Sequence, residues 1–489
     1  MTLINEDFFR NKQKKRNYLH FDNKYSPSFL YSYIINPSNI IKHSFYPFIS
    51  YNLHDRKIKK GYIRIAKAKH CPIKGYIPTT PIFKPLISSP NIIQHSHYPF
   101  ISYKKAKKYA VKSSKVRLIN YASHLDSAIY AYYTELLSPS YEESLIRNNL
   151  ENTVLAYRKI ERKIEGKTVS KCNIHFSKDV FSIVSQKKDC IVLCFDISKF
   201  FDNLDHQILK NNWCSLLSVS HLPEDHYKVY KSLTKFASVD KELLYKELGL
   251  SLNSRTLHKR HKTLCETKDF RSRVRGKGLI STNHTSRGIP QGSALSGFLS
   301  NVYMMQFDKN IKKYLENINS VYFRYSDDMI FIIDDINELQ LVNFIKSEIG
   351  KLKLTINDNK TQRVVFEDGI ANVDLNNVSY NNPSKLQYLG LLYDGKQVFL
   401  RDTGISRYNH KLRKAIRMRS AHYRKLKENN NQNGTTIYRR TLHSRFTYIG
   451  KRNYISYVFR VSEVHNSKNV KRQVKGHFKL FKGYLNERV

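Results

Sequence analysis

The sequence predicts an α+β protein that consists of roughly two to four subdomains. Its 489 residues exceed the size of one compact domain. Apolar runs of strand length, such as residues 190–195 and 321–325, occur alongside apolar positions at helical spacing, such as those that follow Ser123. Because strand and helix patterns recur in separate segments, we expect sheets and helices that share cores rather than one pair of layers.

The charge balance predicts a polyanionic partner. The chain has 84 Lys and Arg residues against 40 Asp and Glu residues, a formal net charge of +44. An A/T-rich genome would raise the Lys content but does not explain the number of Arg residues, so nucleic acid is favoured over a membrane surface.

The absence of a signal region, of long apolar windows and of CxxC pairs indicates the cellular compartment. The N-terminus has no apolar signal region, and no window approaches ~18 uninterrupted apolar residues. The six cysteines form no CxxC pair, which argues against a zinc module and favours free thiols in a reducing compartment. We therefore expect a soluble cytoplasmic protein with no membrane partner.

One segment is duplicated near the N-terminus. Residues 39–51 (NIIKHSFYPFISY) and 91–103 (NIIQHSHYPFISY) are identical at 11 of 13 positions. Two interpretations remain open. Each copy packs its Tyr-Pro-Phe-Ile residues against a subdomain as an aromatic plug, or the two copies form a surface for RNA or for another subunit.

Further elements follow along the chain. A basic strand or hairpin precedes an apolar helix that begins near Ser123, and a second helix is predicted through residues 151–164. Residues 293–303 read as a helix with small residues on one side. Residues 351–362 read as a strand that leads to a lysine, and residues 385–395 as a tight hairpin.

Carboxylates stand where two apolar segments end or join. Asp196 ends the apolar run 190–195, and Asp327 and Asp328 lie between two apolar runs. Considered separately, Asp196 is typical of a helix cap, and Asp327 with Asp328 is typical of the acidic tip of a hairpin. Adjacent carboxylates repel each other, however, and their removal from water is unfavourable without a cation or donors. If Asp196 lies opposite Asp327, the cluster suits two divalent ions.

Five segments in order and spacing resemble the successive palm motifs of bacterial reverse transcriptases. Five unrelated turns do not explain five motifs in this order. The resemblance covers about residues 105–400 and implies an RNA-directed DNA polymerase. The segments are FDISKFFDNLD (195–205), GIPQGSALSG (288–297), FRYSDDMIFI (323–332), INDNKTQ (356–362) and LQYLGLLY (386–393).

The resemblance also implies a domain organisation. It predicts a right-hand polymerase with fingers, a ferredoxin-like palm that contains a mixed sheet, and a helical basic thumb. On this basis residues 1–104 form an N-terminal extension with the duplicated block, residues 105–400 form the fingers and palm, and residues 401–489 form the thumb.

The resemblance assigns the acidic residues to catalysis. Asp196, Asp327 and Asp328 are expected to be catalytic, with Asp328 in a supporting role. Asp196, Asp327 and the backbone carbonyl of Ile197 are expected to bind two Mg²⁺ ions, for which Mn²⁺ is a substitute.

Contacts to nucleotide and primer are implied in the same way. Phe201 matches a steric gate against a 2'-hydroxyl, with core packing as the alternative. Lys360 matches a lysine that donates a proton to pyrophosphate. For the basic residues on the fingers strand, contact with the template is the alternative to contact with the triphosphate. The remaining expected residues are Gln291, Gly292, Arg117 and Lys115 for the nucleotide, and Tyr325 and Ser326 beside the primer end.

The C-terminal region is strongly basic. From residue 401 onward it has 23 Lys and Arg residues against 4 Asp and Glu residues, with helical runs. Such a region is expected to contact the phosphates of a template–primer duplex or of structured RNA, and a solvated basic helix is the alternative. The expected contact residues are Arg413, Arg417, Arg424, Arg439 and Arg440.

A finer resemblance concerns biological role. The YPFI block, the phrase YASHLDSAIYAYY and the YSDD box resemble the bacterial defence-associated (antiphage) reverse transcriptases. This implies a structured non-coding RNA that serves as scaffold and template, deoxynucleoside triphosphate substrates, and assembly into homo-oligomers. A retron-like or group II intron-type enzyme and a catalytically silent RNA-binding scaffold remain the alternatives.

Overall fold

The computed structural model describes most of the chain. The chain forms two units: one consists of Met1–Ser50 and Asn120–Val489, and the other of Tyr51–Ile119. The described residues are 4–13, 18–62, 108–164, 166–252, 254, 257, 261–316, 318, 320–334, 338–372, 384–428 and 439–487.

Strands and helices are numbered here in chain order over the described residues. The strands are β1 (Phe48–Tyr62), β2 (Lys108–Tyr121), β3 (Glu161–Ile164), β4 (Lys167–Ser170), β5 (Cys190–Asp196), β6 (Ala237–Asp240), β7 (Ile280–Thr282), β8 (Val321–Tyr325), β9 (Asp328–Ile333), β10 (Gln362–Glu367), β11 (Ile370–Asn372), β12 (Leu386–Tyr388), β13 (Leu391–Tyr393) and β14 (Val398–Leu400). The helices are α1 (Glu6–Gln13), α2 (Pro27–Ile34), α3 (Pro37–Lys42), α4 (His124–Arg147), α5 (Asn173–Lys187), α6 (Phe200–Asn203), α7 (His206–Leu217), α8 (Glu224–Thr234), α9 (Lys241–Glu247), α10 (Thr267–Asp269), α11 (Ala294–Leu315), α12 (Glu338–Lys351), α13 (Asp402–Glu428), α14 (Arg439–Phe446), α15 (Tyr454–Val464), α16 (Lys468–Arg472) and α17 (His477–Asn486).

A five-stranded sheet lies at the centre of the larger unit. Its strand order is β11-β10-β5-β9-β8. All of its pairings are antiparallel, so the expectation of a mixed sheet is wrong. The physical reason is that β8 and β9 form a tight hairpin and β10 runs antiparallel to β5, which leaves no parallel neighbours.

The central strand β5 is buried on both faces. Its residues alternate between two apolar cores, with Leu193 and Phe195 in one and Cys190 and Val192 in the other. One core is completed by helices α4, α7, α11 and α12, and the other by α5, the three-stranded sheet β12-β13-β14 and the C-terminal helices. This two-sided burial explains why the strand reads as a continuous apolar run.

Helix α4 begins where the sequence predicts it. Ser123 is the N-cap, and its side chain accepts a hydrogen bond from the amide of Asp126. The buried carboxylate of Asp22 accepts two further hydrogen bonds from the amides of His124 and Leu125. These acceptors satisfy amides that the first helical turn leaves without intrahelical partners.

The first copy of the duplicated block is packed against α4. Within residues 39–51, His43 Nε2 and the amide of Tyr46 donate to the two carboxylate oxygens of Asp126, at 2.8 and 3.0 Å. Phe48 and Ile49 of the same copy are buried in apolar cores, which favours the aromatic-plug interpretation for the first copy. The second copy, residues 91–103, lies outside the described residues.

Two sequence predictions of secondary structure are wrong. Residues 151–160 form turns and irregular backbone and residues 161–164 form β3, instead of a helix, because Val154 bridges to Arg324 on β8 and this long-range pairing overrides the local spacing. Most of residues 351–362 is not a strand either. Lys351 ends α12, Asp358–Lys360 form a 3₁₀ turn, and only the last residue of the segment begins β10.

The C-terminal helices have one apolar face. Helix α13 buries Tyr408, Leu412 and Ile416 at intervals of four residues, while most of its arginines are exposed. This spacing places the apolar residues in one stripe against the core. Among the helices of the described residues, none combines the length and apolar composition that crossing a bilayer requires.

Candidate active site

Three aspartates lie at one end of the five-stranded sheet. Asp196 is the last residue of β5, and its register partner on β9 is Asp328. The amide of Ile197 donates to the carbonyl oxygen of Asp327 at 3.3 Å. Register partners in an antiparallel pair present their side chains on the same face of the sheet. The structure therefore places Asp328, and not Asp327, directly opposite Asp196, and Asp327 is next to this pair in the turn between β8 and β9.

A two-residue turn carries part of this acidic site. Ser326 and Asp327 join β8 to β9, and Ser326 has a φ of 61°. A non-glycine residue in this left-handed region is uncommon and needs support from its surroundings. Arg324 Nη1 donates to the carbonyl oxygen of Ser326 at 3.3 Å, and the hydroxyl of Tyr157 lies 3.4 Å from the Ser326 hydroxyl.

A buried ion pair lies beneath the turn. Arg324 Nε and Nη2 donate to the two carboxylate oxygens of Asp308 at 2.8 and 2.5 Å, and both side chains are 0% exposed. Arg324 Nη1 also donates to Asn301, and the hydroxyl of Tyr322 donates to Asp308. Burial lowers the pKa of Arg324, but the attraction and hydrogen bonds of Asp308, together with Tyr322 and Tyr141, outweigh this effect and raise the pKa. The guanidinium thus stays charged and fixes the turn.

Several of these supporting residues escaped the sequence analysis. Asp308 and Asn301 lie about two helical turns apart on α11, and nothing in their spacing indicates a partner on β8. Tyr157 is in a left-handed conformation with a φ of 58°. A Cβ at Gly297 would lie 2.9 Å from its ring, so glycine gives the ring room beside Ser326. The small residues noted on α11 were the one available signal.

Lys360 contacts the acidic site directly. Its Nζ donates to Asp196 Oδ2, and the amide of Asn357 donates to the Asp196 carbonyl at 2.8 Å. The Lys360 side chain is 40% exposed and that of Asp196 is 16% exposed. The sequence placed Lys360 beside a leaving phosphate, and the structure places it beside a carboxylate of the same site.

The acidic residues suit a hard divalent cation in their chemistry. Carboxylate oxygens are the ligands that Mg²⁺ prefers, and like charges directly opposite on neighbouring strands are unfavourable without a cation. Over the described ranges, no group of three or more His, Cys, Asp and Glu residues is already arranged around a metal position. After β5, two backbone hydrogen bonds join this segment to residues 355–357: the carbonyl of Asp196 accepts one, and the amide of Ser198 donates the other. Neither of these bonds involves the carbonyl of Ile197, which is the expected third ligand.

The two predicted nucleotide-binding segments lie side by side. The amide of Ile289 donates to the carbonyl of Phe201 at 2.9 Å. Gly288 has a φ of 88°, and a Cβ there would lie 2.9 Å from the carbonyl oxygen of Asp202. Only glycine allows this approach. Phe201 itself is 9% exposed and belongs to the apolar core, so core packing accounts for part of its environment.

The other predicted nucleotide and primer residues occupy varied positions. Gln291 is half-buried and its carbonyl accepts from the amide of Asn120 at 2.8 Å, while Gly292 is exposed with a φ of 131°. Tyr325 pairs in register with Asp328, and burial raises the pKa of its hydroxyl. That hydroxyl therefore remains protonated at neutral pH.

The basic residues predicted for phosphate contact are exposed wherever their side chains are described. Arg117 is exposed on β2 in the smaller unit, and the side chain of Lys115 lies outside the described residues. Arg413 donates to the hydroxyl of Tyr484 at 2.5 Å, and its guanidinium stacks 4.7 Å from that ring. All five C-terminal arginines predicted for phosphate contact are exposed, namely Arg413, Arg417, Arg424, Arg439 and Arg440.

Comparisons with known proteins identify the chain's relatives. Residues 104–393 match the family model described as reverse transcriptase (RNA-dependent DNA polymerase). The match and the arrangement of helices and sheets confirm the predicted α+β right-hand polymerase fold. Curated protein sequences give no match.

Solved structures of telomerase are similar to part of the chain. Apo telomerase from Candida tropicalis, truncated from its C-terminal domain, is 14% identical over 60% of this chain and 53% of that chain, with a TM-score of 0.34. Telomerase from Candida albicans in complex with the TWJ fragment of telomeric RNA is 12% identical over 77% of this chain and 62% of that chain, with a TM-score of 0.35. The chain thus spans less than two thirds of these telomerases. Because the family match covers more than half of the 489 residues and includes the three carboxylates, the chain belongs to the reverse transcriptase family.

Proposed function

We propose that this protein synthesises DNA on a template within a structured partner RNA, and that it does so in antiphage defence. The observation that carries the polymerase function is the pairing of Asp196 with Asp328, next to Asp327, in a chain that belongs to the reverse transcriptase family. The net charge of +44 supports an RNA partner. The defence role rests on the resemblance of the YPFI block and of residues 121–133 to defence-associated enzymes.

Asp196 and Asp327, with the carbonyl of Ile197, would hold two Mg²⁺ ions, for which Mn²⁺ would substitute. When bound, such ions activate the primer 3'-hydroxyl and neutralise the charge of the triphosphate and the leaving pyrophosphate. Asp328 lies opposite Asp196 and supports this arrangement through its charge.

The chain's own residues position the reactants. Arg324 holds the Ser326 carbonyl and thereby fixes the turn that faces the primer end. Phe201 is anchored beside Ile289 by a backbone hydrogen bond, so its ring would resist displacement by a 2'-hydroxyl. Lys360 holds a proton at Nζ, which now contacts Asp196. Once that contact has opened, Lys360 would deliver the proton to pyrophosphate.

The basic residues would hold the nucleic acid. Arg117 and Lys115 on β2 are proposed to contact the triphosphate, with Gln291 and Gly292 beside the base and template. The exposed arginines of α13 and α14 are proposed to contact phosphates of the template–primer duplex, which gives affinity without sequence preference.

The test is to purify the full chain with its co-purifying RNA, sequence that RNA, and supply labelled deoxynucleotides with Mg²⁺. We expect nuclease-sensitive DNA templated by one abundant small RNA. The Asp327→Asn/Asp328→Asn variant should make no product, yet its RNA affinity should remain within about twofold, because neither carboxylate attracts phosphate.

Other outcomes would change the assignment. Co-purifying RNA without DNA synthesis, even during phage infection, would favour an RNA-binding scaffold. Synthesis without any reduction of phage plating would favour a retron-like or intron-type role. Equal loss of RNA binding in the folded double variant would reject the catalytic assignment of the aspartate pair.

A further inference from the structure

A cavity of about 750 Å³ lies away from the carboxylates. It is bordered by the C-terminal half of α5, the turn between β13 and β14, and the segment that joins α15 to α16. Helix α5 ends at Lys187, just before β5 begins, whereas Asp196 is at the other end of β5. A seven-residue strand spans roughly 20 Å, so this cavity is separate from the candidate active site.

The lining of the cavity is basic, and Asp394 in the bordering turn uses its Oδ1 to accept from the backbone amides of Lys396 and Gln397. The lining includes Lys178, Lys396, Lys468 and Arg472, and it includes no Asp or Glu. None of these four side chains belongs to an ion pair within the part of the chain that the structure describes. Like charges on a concave surface reinforce one another's potential and attract an anion.

Neutral donors and acceptors accompany the cations. Gln186, Gln397, Asn466 and Asn469 also line the cavity, and Arg472 Nη1 donates to Asn469 Oδ1 at 3.3 Å. Side-chain amides of this kind both donate to and accept from the edges of unpaired bases. The volume is within the range that accommodates a nucleotide-sized group.

We propose that this cavity binds a single-stranded segment of RNA, with phosphates on the four cations and base edges on the amides. An acidic peptide would also satisfy the cations and the amides, but the net charge of +44 on the whole chain favours a nucleic acid as the partner. The proposal rests on the proposed function in one respect only, which is that the bound segment belongs to the partner RNA. It gives the partner RNA a second anchoring point, roughly the length of β5 away from where its template would be copied.

The first test compares two triple variants of the full chain that change charge equally. The cavity variant is Lys178→Gln/Lys468→Gln/Arg472→Gln. The control variant is Lys231→Gln/Lys313→Gln/Lys346→Gln, which changes exposed lysines on α8, α11 and α12. Fluorescence anisotropy would follow a labelled, unstructured 12-nucleotide RNA at several salt concentrations, with excess unlabelled primer–template hybrid present to occupy the polymerase cleft.

We expect the cavity variant to lose at least about tenfold in RNA affinity and the control variant less than about twofold. The slope of log affinity against log salt should become shallower by about 2 in the cavity variant, since each phosphate contact to a single strand contributes about 0.7. Equal losses in the two variants would overturn the proposal, as would tighter binding of an oligoglutamate peptide than of RNA at the cavity.

The second test needs no substitution and therefore holds if the cavity variant fails to fold. RNA that contains 4-thiouridine would be crosslinked to the unmodified chain, and the crosslinked peptides identified by mass spectrometry. Crosslinks within residues 178–186 and 465–472 would support the site, and crosslinks confined to α13 and α14 would overturn it.

The results separate this site from the proposed function. If the unmodified chain extends no primer while only the cavity variant loses RNA affinity, the polymerase function is rejected and the RNA site is retained. If the unmodified chain extends primers while the two triple variants bind RNA equally, the function is retained and the site is rejected.

Discussion

Two carboxylates in the larger unit each contact a basic side chain, but the two pairs differ in their exposure to water. Asp308 and Arg324 are 0% exposed, and the arginine's remaining donors are used within the protein. Asp196 is 16% exposed and Lys360 is 40% exposed. A fully buried pair cannot exchange its partner for a ligand, whereas an accessible pair can. Exchangeability, and not pairing itself, distinguishes the candidate catalytic carboxylate from the structural one.

The largest expected effect comes from the accessible carboxylate. Asp196→Asn should lower the rate of DNA synthesis by about 10³-fold or more, since a neutral amide binds divalent ions poorly and several kcal/mol of charge stabilisation are lost. The melting temperature should not fall by much, because loss of the contact with Lys360 is offset by relief of the repulsion between Asp196 and Asp328. Primer extension and thermal melting test this, and a large loss of stability would contradict the comparison.

The buried carboxylate should show the reverse pattern. Asp308→Asn leaves the charge of Arg324 buried without an anionic partner and should reduce the free energy of unfolding by about 3–5 kcal/mol. Denaturation with urea measures this loss. In the matched control Asp308→Leu/Arg324→Met, both charges are removed, so much of the stability should return while synthesis stays low because the Ser326 carbonyl loses its donor. Equal stability of the single and double variants would contradict this account.

Lys360 allows a finer test of exchangeability. Lys360→Gln should reduce the rate of synthesis by about 10²-fold through loss of a proton donor. Lys360→Arg keeps the contact with Asp196 but releases a proton far less readily, so it should be similarly slow. Steady-state extension rates as a function of pH distinguish a Lys360 that donates a proton from one that supplies only a positive charge. Full activity of the arginine variant would indicate that Lys360 acts through charge alone.

His20 differs from both carboxylate pairs, because it is a buried titratable group that the fold keeps neutral. His20 is 0% exposed, and burial, followed by the charge of His124, lowers its pKa to about 3. The unfolded chain binds this proton below about pH 6.5 and the folded chain does not, so stability is full above that pH and falls as pH drops toward 3. At pH 5 the loss is about 2 kcal/mol.

Replacement of this histidine isolates its contribution. His20→Phe should show a smaller decrease in melting temperature between pH 7.5 and pH 5 than the unmodified chain, since phenylalanine keeps the ring contacts with Phe21 and Tyr121 and takes up no proton. His465, whose pKa burial lowers to about 4, contributes to both proteins and cancels in the comparison. An unchanged decrease would show that His20 is not the responsible group.

The sequence predicted the parts of the fold that local patterns encode. The buried strand that ends at Asp196, the hairpin around Asp327 and the helix that begins after Ser123 all occur as expected. Each combines a clear periodicity with a recognisable end signal, such as an N-cap or a two-residue turn. Local preference and tertiary packing agree at these positions, which is why pattern alone sufficed.

The features that the sequence analysis missed depend on contacts between distant residues. Val154 bridges to a residue on β8, and this pairing replaces the helix that local spacing suggested. The partners of Arg324 lie on a separate helix, and the position of Tyr157 depends on the space beside Gly297. Such complementarity arises only after the chain has folded, so a linear pattern contains no signal for it.

The alternation of β5 between two cores has a consequence for how this protein tolerates change. A shift of β5 by one residue relative to β9 would exchange the side chains that enter each core, and it would also turn Asp196 to the opposite face of the sheet. Apolar residues as far away as Ile191 therefore fix the orientation of the carboxylate. Insertions in surface loops can accumulate without harm to the site, whereas one residue gained or lost within this strand would inactivate it even if a compact fold formed.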